Sequence, residues 1–186
     1  MKLSVLLSVA LALCVQLAWA QAPKIGYTNM ELVISLMPEY KQVETTLRTH
    51  ERKLMEQVQV KIQYLEGKMQ EYQEMMEKNA LSEAQANEKR AEVQKLDQEI
   101  QQFKADAETS LKKKTEELTE PLITKFSDAI DKLTVQEGYT YIFNSHTAGT
   151  SIILKGPKED NVTIKVLKIL SIPVPKELEE QINGKK

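Results

Sequence analysis

Cysteine and tryptophan occur once each in this chain, and Cys14 and Trp19 both precede residue 21. The remainder therefore has no disulfide framework and no thiolate metal site. Three phenylalanines and an aromatic content of 5% supply little bulk for one large core, although the length alone would suit a single domain. The formal net charge is −2, so no cationic field exists to attract nucleic acid or to hold the chain on an anionic membrane. Neither "EGK" nor "KGPKED" has the spacing of a phosphate-binding loop. Histidine is equally scarce. His50 lies among Arg48, Glu51 and Arg52 and reads as a solvated helix position. His146 follows Ser145 in the turn "NSHTAGT", where sequence neighbours do not reach triad geometry and no nearby carboxylate would orient the imidazole. We therefore expect no catalytic residues, no metal and no cofactor. The chain does not read as an enzyme.

The one long apolar run is at the start. Lys2 precedes an apolar stretch over residues 3–17, and "AWA" at 18–20 places small residues where a signal peptidase reads. This is the pattern of an export signal cleaved after Ala20, too short for a membrane span. Lipid attachment at Cys14 is disfavoured because Leu13 before it is not small. Cleavage would remove only Lys2 among the charged residues, leaving 24 basic and 27 acidic.

Beyond residue 20, helix signals dominate. "KIGYT" reads as a short strand, and "NMELVISLM" as a helix with Leu32, Val33 and Leu36 on one face. Pro38 and Glu39 suit the first turn of another helix. From there to Lys78 only Gly67 interrupts, which predicts a helix on the order of 60 Å long at 1.5 Å per residue. Ile62, Leu65, Met69, Tyr72 and Met76 step 3, 4, 3, 4 as a heptad seam. Asn79 reads as a terminator, and Ser82 with Gln85 as a capping box. The returning helix carries Val93, Leu96, Ile100, Phe103 and Ala107 in the same rhythm and continues through Leu111, Leu118, Leu122, Phe126, Ile130 and Leu133. A short connection makes the two helices antiparallel neighbours. Pro121 should bend the second one and act as a hinge.

After Gly138 the period changes from helical to alternating, with Tyr139, Tyr141 and Phe143 on one strand face and "SIILK" as the returning strand of a hairpin. "NVTIKVLKIL" reads as a short helix facing the core with Val166, Leu167 and Leu170, and Asn161 opens a sequon. So few strands leave open edges, which oligomerisation would close.

The Glu/Lys pairs along the arm read as a solvated face. The methionines are more informative, because Met recurs at surfaces that accept many partners. Met69 and Met76 fall on the seam, whereas Met75 falls off it and is expected to be exposed.

"KIGYTNMELVISLMPEY" and "EGYTYIFN…IILKGPKEDNVTIKVLKIL" together resemble the Skp (OmpH-like) periplasmic chaperones, from about Lys24 to Ser171. The resemblance implies an α+β fold: a long antiparallel helical hairpin, a coiled-coil arm, projecting from a small β-sheet or β-barrel oligomerisation body. It implies a homotrimer that holds unfolded outer-membrane proteins between its arms without ATP, in the periplasm and without stable membrane insertion. The expected division is signal peptide 1–20, trimerisation body 21–43 and 119–171, arm 44–118, and flexible tail 172–186. The body would draw on Ile25, Tyr27, Tyr139, Tyr141, Phe143, Ile152 and Leu154. The arm would meet clients through Met55, Met69, Tyr72, Met75 and Met76. One departure stands out. The best-known members have cationic arms, whereas residues 61–100 here carry 6 basic and 9 acidic residues, so no lipopolysaccharide or lipid site is carried over. The alternative reading is an exported coiled-coil structural or adaptor protein with one fixed partner.

Overall fold

The computed structural model describes residues 22–184, so the expected leader and its cleavage point lie outside the described residues. The fold is α+β and forms two units: one holds residues 22–33 and 126–184, the other is Ile34–Lys125.

The first unit contains β1 (Ile25–Thr28), most of α1 (Met30–Ser35), the end of a long helix, four-residue β2 (Tyr141–Asn144), β3 (His146–Thr147), β4 (Thr150–Ser151), α4 (Thr163–Ile169) and α5 (Lys176–Asn183). β1 and β2 pair in parallel, Ile25 with Tyr141 through Thr28 with Asn144. This corrects the expected pairing of "YIFN" with "SIILK". The hairpin that does form is β3 with β4, a separate two-stranded sheet. Parallel strands require a long crossover between them, and the chain linking β1 to β2 contains the whole helical hairpin. The arm is thus the crossover connection of this sheet.

One face of the β1–β2 ladder is buried. Gly26 sits there because a Cβ would come within 3.0 Å of both the Tyr139 ring and the Val162 side chain. Thr28 Oγ1 lies 3.0 Å from Thr163 Oγ1, which satisfies two buried hydroxyls with each other. Val33, Ala129, Leu133, Val162, Val166 and Leu167 complete the core. The segment expected as a loose tail is instead helix α5.

The β3–β4 connection is two residues long, and both have positive φ, Ala148 at 50° and Gly149 at 73°. That is the signature of a type I′ turn, which suits Asn or Gly at its first position better than Ala. The Glu31 carboxylate accepts from both turn amides, at 2.8 Å from Ala148 N and 3.3 Å from Gly149 N. Ala148→Asn should raise the stability of this unit by about 0.5–1 kcal/mol by relieving the left-handed backbone cost. Chemical denaturation would measure it.

The second unit is built on α2 (Tyr40–Glu77) and most of α3 (Glu83–Glu137). Glu39 is the N-cap of α2, accepting from Val43 N at 3.2 Å, and Pro38 immediately precedes it. The tip forms as its residues dictate. Asn79 adopts φ 49°, its N–H reaches Met76 O, and Ala80 N reaches Met75 O, a Schellman end. Ser82 and Gln85 then bond reciprocally, side chain to backbone, as a capping box. Pro121 lies inside α3 without ending it. The helix stops at Gly138, whose φ of 70° and N–H to Thr134 O bond close it.

Candidate functional site

The seam of the arm departs from a strict heptad. Its half-buried residues on α2 are Leu54, Val58, Ile62, Leu65, Lys68, Tyr72 and Met75. Lys68 takes the position expected for Met69, and Met75 the one expected for Met76. Met69 and Met76 are exposed instead, at 42% and 44%. Lys68 can replace an apolar residue because its stem packs while its ammonium reaches out.

That ammonium meets Glu71 at 3.4 Å and Glu92 at 3.7 Å, and Lys89 on α3 meets the same two carboxylates at 3.7 and 3.6 Å. The four charges close a ring across the two helices. Hydrogen bonding to Glu71 holds the Lys68 ammonium above its ordinary value, and Lys68 in turn lowers the Glu71 carboxyl. Sequence reasoning missed this ring. Its signal was the same Lys-x-x-Glu spacing in both helices. Nearby, Arg90 donates to the Tyr72 hydroxyl at 3.4 Å. His50, expected to be solvated, is half-buried with Nε2 at 3.1 Å from Ser110 Oγ on α3.

Between these polar crossings the arm has a groove of about 510 Å³. Leu54, Val58, Ala107 and Leu111 line it, with Met55 at its lip, 65% exposed. Of the five arm residues expected to meet clients, Met55, Met69 and Met76 are exposed, while Tyr72 and Met75 are half-buried.

In the β-containing unit, the outward face of the ladder carries Ile25, Tyr27, Tyr141 and Phe143. Tyr141 and Phe143 stack with ring centroids 6.1 Å apart, yet are 56% and 50% exposed. Ile152 and Leu154 are exposed as well, Leu154 at 91%. Tyr139 differs from the expected set. It precedes β2 and is buried, with Lys24 Nζ 4.1 Å and Lys165 Nζ 5.5 Å from its ring centroid. Lys165 also donates to the Tyr139 hydroxyl at 3.1 Å and to Glu137 at 2.6 Å.

The Glu137 carboxyl is held below its ordinary value of 4.5, first by the Lys165 hydrogen bond and further by Lys24. A depressed carboxyl stabilises the fold above its unfolded value and loses that contribution as pH falls through the folded value. Glu137→Gln should cost this unit about 1 kcal/mol or less at neutral pH, since both partners are over a third exposed. The difference from the parent should vanish in acid. Thermal unfolding of both proteins across pH 3–7 (a range set by about two pH units around the ordinary carboxylate values) checks the sign.

Ser145 Oγ does lie 2.9 Å from His146 Nδ1. The described hydrogen bonds and ion pairs bring no carboxylate to His146, and Ser145 is buried as a backbone junction, donating to Thr28 O and accepting from Ile152 N. The sequon is structural, since Asn161 Oδ1 accepts from Thr163 N and both Val162 and Thr163 are buried. Among the described residues no acidic or histidine cluster is arranged to hold a metal, and no helix is long and apolar enough to cross a membrane.

No individual curated protein matches the sequence significantly. Residues 24–170 match the family described as outer membrane protein (OmpH-like). This match takes in β1, the entire helical hairpin, β2 to β4 and α4, and it ends before α5. By that match over most of its length, the chain belongs to the OmpH-like outer membrane protein family.

Proposed function

We propose that this protein is an exported holding chaperone that binds unfolded outer-membrane β-barrel proteins in the periplasm and works without ATP as a homotrimer. Family membership gives the reading its direction. The observation that carries it is the exposed apolar surface of the β-containing unit, on the outer face of the β1–β2 ladder and just after β4. Ile25, Tyr141, Phe143, Ile152 and Leu154 would be a costly surface for a monomer in water. Packing copies against this surface would bury those side chains, and pairing between edge strands of the copies would close the open edges.

The functional division follows from that assembly. A body built from three copies brings three arms to one client chain. An unclosed barrel strand alternates polar and apolar residues and aggregates readily. Weak contacts on three arms act on the same chain, so their combined avidity far exceeds any single one. Release requires no fuel, because insertion into the membrane is the deeper free-energy sink.

A photoreactive residue at exposed Met76 tests this reading in the cell. The expected result is crosslinks to a spread of different outer-membrane proteins. A single adduct of fixed mass would instead favour the adaptor reading.

A further inference from the structure

The mid-arm groove differs from the rest of the arm in packing, and two carboxylates stand at one end of it. Its cause is Ala107. At a seam position elsewhere filled by Ile100 or Phe103, a methyl group leaves open the space between Leu54, Val58 and Leu111. Several exposed charges on the arm are paired along the helices, Arg48 with Glu44, Arg52 with Glu56, Lys95 with Glu99 and Lys114 with Glu117. Around the groove, Glu51 and Glu108 at one end and Lys104 towards the other have no ion-pair partner among the described residues. A second arm groove, lined by Val60, Lys61 and Phe103, shows what such a space accepts. There Lys61 Nζ lies 5.3 Å from the Phe103 ring centroid, so a cation of the chain itself covers the apolar floor. The Ala107 groove has no such cover.

We propose that the Ala107 groove is a client-contact site for an extended segment with an apolar side chain and, two residues away, a Lys or Arg. This deepens the holding function proposed above and rests on it. The span from Glu51 to Val58 is on the order of 10 Å along the helix. Residues i and i+2 of a strand face the same way, roughly 6.6 Å apart at 3.3 Å per residue. One such residue fills the space beside Ala107, and the other sets its cation against the unpaired Glu51 and Glu108. The carboxylate end of the groove, at Glu51 and Glu108, selects a basic residue there, opposite to what a cationic arm would select.

The test uses the full mature protein, which without Trp19 contains no tryptophan. Two alternating peptides are titrated by their own tryptophan fluorescence, one with Arg two residues from the Trp and one with Glu there. The Arg peptide should bind about fivefold tighter, the scale of one or two exposed ion pairs. Glu51→Lys with Glu108→Lys should reverse that order. Ala107→Leu, which fills the space with a good helix former, should weaken both peptides while helix content by circular dichroism stays unchanged. Equal binding of the two peptides, an unreversed order, or association of arm with arm in place of peptide would overturn the proposal. Suppression of client aggregation is measured on the same samples. If holding persists while the charge order fails, only the groove assignment falls. If holding itself is absent, both fall.

Discussion

Serine at both Tyr141 and Phe143 is expected to leave the protein monomeric. The two rings stack on each other yet remain about half exposed, on a strand pair whose other face is already committed to the core. Burying the exposed half of each ring, at roughly 25 cal/mol per Å², is worth about 2–3 kcal/mol per ring. Losing both from one protomer removes about 5 kcal/mol of contact, which weakens association by three to four orders of magnitude. Light scattering at micromolar protein should show a trimer for the parent and a monomer for the variant, with the circular dichroism of the long helices retained. A variant that stays trimeric would remove this face from the assembly.

The second large effect is in the core of the β-containing unit. Leu167 is fully buried on α4, and Leu133 on α3 is nearly so. Leu133→Ala should cost about 2–5 kcal/mol, the transfer term for the lost atoms plus the cavity left behind (about the range for buried leucines generally). In a small unit this is a large part of total stability. Val135→Ala, at an 85% exposed position of the same long helix, should shift stability by no more than about 0.5 kcal/mol. Denaturant unfolding of the two variants side by side separates loss of packing from a general effect on the helix.

The helical hairpin was legible because its signals are local. Asn79, the Ser82 and Gln85 pair, and Gly138 each satisfy specific backbone groups, and each does so in the structure. Strand pairing was less legible. That the strands at the two ends must meet in one sheet follows from the long helices between them, but adjacent strands usually pair, and nothing within "YIFN" chooses "IGYT" over "SIILK" as its direct partner. The seam was legible at Ile62, Leu65 and Tyr72 and lost at Met69 and Met76. There the choice turned on whether a lysine stem could be tolerated inward, and that depends on Glu71 and on Glu92, a residue of the other helix. The same holds for the contact residues. A methionine is visible in sequence, but the space beside Ala107 exists only once the helices are placed. Tyr139 reads like its neighbours Tyr141 and Phe143, and only the approach of Gly26, Lys24 and Lys165 makes it part of the core.

The central claim, that this chain holds unfolded outer-membrane proteins without fuel, has a direct measurement. A barrel protein unfolded in urea is diluted into nucleotide-free buffer with or without three equivalents of this protein, and light scattering is followed. The account predicts that scattering stays at baseline with the protein present and that client and protein co-elute as one soluble complex. Aggregation at the same rate and to the same extent as the client alone would contradict it.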